Sequence, residues 1–507
     1  MHLLDAIGAG LYALLTPQAC LFMVIGIAYG LVVGILPGLG GIVALALLLP
    51  FTYGYNQAAT IALLLGAHIA TIWGSSVTSI LFRVPGASKS LALIFDGFPL
   101  TQRGEASRAL GASAMAALMG GVFGAVFLAI SIPIVRPLML ALGPSEYLMM
   151  ALWGLTIIAT FSAGSILKGL IAAALGVLTG LIGMDVVTAT PRFTFGSLFL
   201  MDGISFPVAM IGMFAVAEMM KLYVMGGSIV TREVGVEKSS MWTGVHDAFR
   251  HWNLVLRSSL LGLWVGVLPG IGASVSGIAA YAQAVQTSKT PERFGHGAIE
   301  GVIAPDATLG ATEGGALLPT LAFGIPGGEA MAVLLVAFIG LGIVPGPEML
   351  TRHLDVVFSF VWVVVIASTL TTLIGLAIIP YLARLPTLNP NIVIPIVLSV
   401  CFIGAYSTHA SMDDVLVAMV FGLIGYLMDR FNFSRANFVI GMVLATMIER
   451  NLHLSLSLYG DDFIFTRPIT LAMFVLLIVT TALPFVRKWR RRKAADAAAG
   501  MEEGSRP

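Results

Sequence analysis

Charge is what this sequence has least of. Only 10% of its 507 residues are Asp, Glu, Lys or Arg, against about 25% in soluble domains. The 27 basic and 26 acidic side chains nearly cancel, leaving a net charge of +1. A soluble protein of this length could not cover its surface from that stock, so a soluble enzyme and a disordered chain are both excluded. A nucleic-acid binder needs a basic face, which so even a balance does not provide. Cysteine is nearly absent. Cys20 and Cys401 sit in apolar stretches with no CxxC spacing, which argues against disulfides and a zinc site. No HExxH string occurs. The run Ser88-Lys89-Ser90 has Ser where a phosphate-binding loop needs Gly, so direct ATP hydrolysis is unsupported. The opening Met1-His2-Leu3-Leu4-Asp5 lacks a basic stretch and reads as a retained first helix, not a cleaved signal.

What is abundant is apolar. Hydrophobic residues make up 58% of the chain and the mean hydropathy is +0.96. A bilayer core of ~30 Å needs roughly 20 apolar residues per helix. Such runs recur near 18–36, 57–82, 108–134, 138–161, 164–184 and 203–225, then near 254–285, 311–345, 353–380, 391–407, 412–428, 435–448 and 468–486. The pattern predicts an all-α polytopic membrane protein with roughly ten to twelve spans. With 57 Gly and 24 Pro, some runs are interrupted and read equally as full helices or re-entrant hairpins. The polar interval 226–257, from Arg232 and Glu233 to His251 and Arg257, reads as a central loop. It separates a transmembrane repeat over 1–225 from a second over 258–486. Residues 487–507 begin with Arg487, Lys488, Arg490, Arg491, Arg492 and Lys493. That basic run places the C-terminus in the cytoplasm, followed by a disordered tail.

Two motifs occur once in each half. Gly34-Ile35-Leu36-Pro37-Gly38-Leu39-Gly40 matches Gly266-Val267-Leu268-Pro269-Gly270-Ile271-Gly272, an offset of 266 − 34 = 232. Val84-Pro85-Gly86 matches Ile325-Pro326-Gly327, an offset of 326 − 85 = 241. Pro removes a backbone donor and Gly admits left-handed dihedrals, so each Pro-Gly step should break its helix. Freed N–H and C=O groups are tolerated in a membrane only inside protein or around a polar cavity. Broken segments at matching places in two halves point to a carrier's binding site. Half-helix N-termini suit a carboxylate, and half-helix C-termini and unwound carbonyls suit Na⁺. Read more plainly, the same steps are kinks or close-packing sites.

Polar residues gather after the breaks. Ser76 and Ser79 lie in Gly74-Ser75-Ser76-Val77-Thr78-Ser79, where the hydroxyls either bind an ion or bond back to their own helix. Ser88 and Lys89 follow Pro85-Gly86; Lys89 is a partner for an anion or a snorkelling interfacial residue. Ser274 and Ser276 follow Gly272. Asp306 with Thr308, and Thr312 with Glu313, enter apolar sequence, as does Glu329 after Gly327. A carboxylate at membrane depth is a natural partner for Na⁺ or H⁺ unless it sits at the water boundary. His68, alone in mid-run, reads as hydrogen-bonded packing more readily than as a proton relay.

These strings together resemble the large membrane subunit of tripartite tricarboxylate transporters, the TctA family. The resemblance rests on Gly34–Gly40, Ser76-Val77-Thr78-Ser79-Ile80-Leu81, Val84-Pro85-Gly86 and Phe95-Asp96-Gly97-Phe98-Pro99-Leu100. It continues through Pro191-Arg192-Phe193-Thr194-Phe195-Gly196, Gly266–Gly272, Gly297-Ala298-Ile299-Glu300-Gly301-Val302, Ala304-Pro305 and Gly324-Ile325-Pro326-Gly327. It implies ion-gradient-driven secondary uptake of an organic carboxylate, a tricarboxylate or dicarboxylate, in the bacterial inner membrane. It implies two partners, a periplasmic solute-binding protein and a small membrane subunit, with Na⁺ or H⁺ as coupling ion and no cofactor. The chain departs from the family pattern at Asp306-Ala307-Thr308, where an Asn pair is usual, at Lys89 and at Glu329. The resemblance therefore carries over an organic carboxylate but no single compound.

The substrate site is expected at Pro37, Gly38, Gly40, Ser76, Ser79, Pro85, Gly86, Ser88, Lys89, Pro269, Gly270, Gly272, Ser274, Ser276, Pro326 and Gly327. The coupling ion is expected at Asp306, Thr308, Thr312 and Glu313. Two other classes stand as alternatives. Gly272-Ala273-Ser274-Val275-Ser276-Gly277 has a faint nucleophile-like look, but an intramembrane serine hydrolase needs a paired base that no matching span supplies. A passive anion channel would show flux that neither saturates nor follows a cation gradient.

Overall fold

A computed structural model describes residues 3–36, 39–52, 54–161, 166–185, 188–225, 239–268, 272–343, 345–382 and 390–482. Pro37-Gly38, Pro269-Gly270, most of the polar interval before Met241 and the basic tail lie outside them. The described chain is almost wholly helical, and six helices are long and apolar enough to cross a membrane. The protein is a multi-pass, all-α membrane protein.

The first half opens with α1 (Leu3–Leu14), α2 (Pro17–Ile35), α3 (Gly41–Leu48) and α4 (Gln57–Phe82). A tight turn over Ser88–Leu93 leads into α5 (Ile94–Gln102), then α6 (Ala106–Leu140), α7 (Pro144–Phe161) and α8 (Ile166–Gly180). A hairpin of β1 (Gly183–Met184) and β2 (Pro191–Arg192) follows, then α9 (Leu198–Met201), α10 (Phe206–Met210), a π-helical turn over Ile211–Val216 and α11 (Ala217–Met225). The second half has α12 (Met241–Arg250), α13 (Trp252–Val267), α14 (Gly272–Thr287), α15 (Glu300–Phe323) and α16 (Glu329–Gly340). It closes with α17 (Pro347–Thr351), α18 (Leu354–Leu382), α19 (Pro390–His409), α20 (Met412–Arg430), α21 (Arg435–Tyr459), α22 (Phe463–Thr466) and α23 (Pro468–Ala482).

The runs at 254–285 and 311–345 each hold two helices, α13 with α14 and α15 with α16, and the Pro326-Gly327 step lies between the latter two, as its composition predicts. One expectation changes. The interval read as a central loop is helical from Met241, where Ser240 accepts from the Trp242 N–H and opens an amphipathic turn.

Local signals explain the helix limits. The side chains of Thr16 and Asn56 accept from Ala19 and Ala59 and start α2 and α4. α4 and α15 both end in a left-handed residue just before their Val/Ile-Pro-Gly strings, Arg83 at φ 57° and Gly324 at φ 68°.

Small residues then let helices close on one another. In α2, a Cβ at Gly26, Gly30 or Gly34 would strike the backbone of Leu63, Ala67 or Thr71 in α4. In α13, one at Gly262 or Gly266 would strike that of Thr308 or Thr312 in α15. In both pairs the contacts advance together along the two helices, so each pair runs parallel. α6 does not pack chiefly on its own half. It lies along α15, with Gly120 against Ala307, Gly124 against Ala311 and Gly310 against Ala117. Reciprocally, α18 lies along α4, where Gly375 meets the Trp73 ring. Such glycine seams drive helix association in lipid, where burying apolar surface yields nothing.

The outer helices repeat the habit. α8 runs parallel to α21, with Gly176 against Phe438 and Gly180 against Met442. At one end of this layer Lys168 Nζ donates to Phe431 O (2.7 Å), Lys221 pairs with Asp429 (2.8 Å) and Arg435 with Glu218 (3.3 Å). At the other end Arg192 joins Glu449 to the hairpin, with Asp185 at 3.3 Å.

Candidate functional site

The site lies where α4 crosses α15. His68 Nε2 stands 2.8 Å from Glu313 Oε2, and two turns away Ser76 Oγ donates to Asp306 Oδ1 at 2.6 Å. Position rises along α4 as it falls along α15, so these two helices run antiparallel. Glu313 and Asp306 are seven residues apart, which puts them on one face of α15. Asp306 is fully enclosed and its Oδ2 has no partner among the described residues. An unpaired polar oxygen in such a place is costly, and it invites a cation.

Glu313 is differently served. Its second oxygen lies 3.4 Å from Lys89 Nζ, so two basic side chains share one carboxylate. It lines a cavity of about 20 Å³ together with Ile69, Ile72, Trp73, Ala117, Leu118, Gly310, Val364, Ser368, Thr371 and Thr372. Four helices meet there: α4, α6, α15 and α18. Trp73 Nε1 and Thr371 Oγ1 are buried with no partner among the described residues, so the walls carry unspent polar groups.

The two Pro-Gly strings that are described fold back in matching fashion. A Cβ at Gly86 would strike Thr78 and Ser75, and one at Gly327 would strike Ala316. Gly86 and Gly327 therefore press on α4 and α15 at equivalent depths. The Gly327 N–H is satisfied by Thr320 Oγ1 (3.1 Å), a side chain standing in for the lost helical partner. Pro85 is partly exposed, and Pro326 is buried. Gly40 packs on Ala87, and a Cβ on the next residue, Gly41, would meet His68 Nδ1 at 2.8 Å and Thr71 Oγ1 at 2.6 Å. The start of α3 is thus beside the His68–Glu313 pair. Gly272 begins α14, whose Gly277 packs on the Lys89 carbonyl.

The other expected residues are only partly gathered. Ser79 Oγ donates to Ser90 Oγ at 2.9 Å and to its own helix at Ser75 O. Thr308 donates to Ala304 O and to Ser258 O, both at 2.9 Å. Thr312 donates to Thr308 O (2.7 Å) and lies 3.4 Å from Ser276 Oγ. Both threonines thus tie α15 to α13 and α14 instead of reaching Asp306. The side chains of Ser88 and Ser274 fall outside the described residues, as do Pro37, Gly38, Pro269 and Gly270. Glu329 is the first residue of α16 and is exposed.

Sequence reasoning undervalued two residues. His68 reads as a lone histidine, yet its partner lies 245 positions away. Asp96 is fully buried and accepts from Gly297 N (2.7 Å), Ala298 N (2.9 Å) and Tyr281 Oη (2.9 Å), fixing the chain just before α15. The Phe-Asp-Gly-Phe-Pro-Leu string was the available signal.

A second acidic group, Asp185, Glu449 and His453, has ligand atoms within 4.8 Å of one another. Arg192 already occupies both Glu449 oxygens and approaches Asp185, so the positive charge there is supplied by the chain. Its hydrogen bonds to Glu449 hold the Arg192 guanidinium above its ordinary pKa.

Comparison with known proteins agrees with this architecture. The model of the Tripartite tricarboxylate transporter TctA family matches residues 20–440. An uncharacterised 52.8 kDa protein in the TAR-I ttuC' 3'region of Agrobacterium vitis is 32% identical over 496 residues, 97% of this chain and 98% of that protein. A second uncharacterised Agrobacterium vitis protein, in the TAR-II ttuC' 3'region, is 31% identical over 234 residues, 45% of this chain and 97% of its own length. No solved structure matches. A family match over most of the length, joined to a near full-length relative above 30% identity, settles the kinship: the chain belongs to the TctA family of tripartite tricarboxylate transporters.

Proposed function

We propose that this chain is the large permease subunit of a binding-protein-dependent carrier that takes up an organic carboxylate, a tricarboxylate or dicarboxylate, at the expense of a Na⁺ or H⁺ gradient. The observation that carries the reading is the pair of buried acids on α15, set between antiparallel helices of the two halves and beside interrupted segments. Ionisable groups placed so deep are expensive and mark substrate or ion paths. Asp306, with one oxygen free, is the coupling-ion residue. Lys89 and the segments around Gly40, Gly86, Gly272 and Gly327 hold the anion. No catalytic role is assigned to any residue.

The two halves are inverted repeats. The offsets 232 and 241 that relate the motifs also relate the contacts: Gly30 on Ala67 answers Gly262 on Thr308, and Gly34 on Thr71 answers Gly266 on Thr312. The corresponding helices α4 and α15 run in opposite directions, which supports a two-fold axis in the membrane plane. Ile69 and Ile72 answer Gly310 and Glu313, and all four line the cavity, so on this reading the axis passes through the cavity. Alternating access needs such a pair of related states. The cluster of Lys168, Lys221, Arg430 and Arg435 supports a cytoplasmic assignment for that end in a bacterial inner membrane, and the reading sets the C-terminus on the same side. The hairpin end then faces the periplasm, where the solute-binding protein would deliver substrate, and the small membrane subunit completes the assembly.

The test is transport by the assembled system in membrane vesicles. Labelled citrate and succinate should accumulate unchanged, only with the binding protein present and only under a cation gradient. Product formation, or uptake that neither saturates nor follows the gradient, would replace the carrier with an enzyme or a channel.

A further inference from the structure

Glu313 serves two bases at once, and for one of them it is the only carboxylate within ion-pair distance among the described residues. Lys89 Nζ lies 3.4 Å from Glu313 Oε1, and its side chain is only 11% exposed. Among the described residues it has no other ion-pair partner. A lysine so far out of water needs an anion beside it, and here the protein supplies its own. The ammonium is also held in place. Lys89 sits on the turn that follows Pro85-Gly86, and its carbonyl packs on Gly277 of α14, where a Cβ would stand 2.9 Å away. It is therefore fixed where interrupted segments of both halves meet, with its charge already spent. The cavity against which Glu313 lies has about 20 Å³ of room, enough for a single water and far too little for a multi-carbon acid. His68 gives Glu313 a second hold, at 2.8 Å, that does not depend on Lys89.

We propose that Glu313 is a resident competitor for the transported anion: it holds Lys89 while the site is empty, and an arriving carboxylate takes Lys89 from it and leaves Glu313 with His68. This rests on the carrier reading and adds to it the way the substrate gains entry. The step is an exchange of ion-pair partners, with no bond made or broken. Apparent affinity for substrate is then a difference between two carboxylates' claims on one ammonium. Weakening the internal claim must strengthen the external one.

The experiment uses the complete transporter in membrane vesicles, with citrate and succinate as probes. Glu313→Gln should lower the half-saturating concentration by at least about fivefold, the low end of couplings between competing interactions. In a Lys89→Met background the same substitution should give no gain, because the contested ammonium is gone. Glu313→Asp keeps the charge but shortens the reach, and should show a smaller fall; it serves if the neutral variant does not reach the membrane. A second readout needs no transport. Acylation of Lys89 by an amine-reactive reagent, followed by peptide mapping, should be slow in the wild type and faster in both Glu313 variants. An unchanged or raised half-saturation, a gain that survives Lys89→Met, or equal acylation rates would overturn the proposal. If the wild type moves neither acid, the carrier reading fails for these anions, and the acylation rates still decide whether Glu313 holds Lys89.

Discussion

Ser76 offers a test whose sign is set by one hydrogen bond. Its hydroxyl donates to Asp306 Oδ1 at 2.6 Å, while Oδ2 has no partner among the described residues. Ser76, with the Ser113 hydroxyl nearby, thus steadies the carboxylate when no cation is bound. A hydrogen bond to a charged group contributes about 1.5–3 kcal/mol, or roughly a factor of ten to a hundred. Ser76→Ala removes that support and leaves the acid more dependent on a cation. The half-saturating concentration of the coupling cation should therefore fall, by at most about tenfold to a hundredfold, and not rise. Asp306→Asn should remove cation dependence altogether, while exchange of labelled for unlabelled substrate across the membrane continues. The measurement compares gradient-driven accumulation with counterflow in the same vesicles, under a Na⁺ gradient and, separately, a pH gradient. Concentrative uptake by Asp306→Asn at wild-type levels, or a raised cation requirement in Ser76→Ala, would refute the assignment of Asp306.

Gly120→Leu and Gly310→Leu should each prise α6 from α15 and cost about 1–3 kcal/mol or more; thermal aggregation midpoints in detergent should drop, and more than for Gly8→Leu, which meets open space. Asp96→Ala leaves two main-chain N–H groups and the Tyr281 hydroxyl unpaired, at about 1–3 kcal/mol each if they stay dry. Its midpoint should fall further than that of Tyr281→Phe, which removes only one of the three donors to Asp96. In a background without Cys20 and Cys401, Phe195→Cys, exposed on the segment after the hairpin, should react with an impermeant maleimide from the periplasmic side. Arg430→Cys should react only after the membrane is opened.

How much of this was readable beforehand depends on distance along the chain. The interruptions were legible because Pro and Gly act locally: Gly86 and Gly327 lie where the helices stop. The offset of 241 was legible for the same reason. Partnerships were not. Nothing near Lys89 announces Glu313, 224 positions on, and His68 looked solitary for want of the same partner. Thr308 and Thr312 look like ion ligands by their neighbours, yet their hydroxyls are spent on α13, α14 and their own helix. The polar interval looked like a loop by composition, whereas Ser240 and the seat of Gly244 on α6 make its latter part a helix.

The exchange of α6 and α18 between the halves limits how the molecule can move. Each half lays a long helix against the other, α6 on α15 along a row of close glycine contacts and α18 on α4 at Gly375. The halves therefore cannot hinge apart like the jaws of a clamp without unzipping those seams.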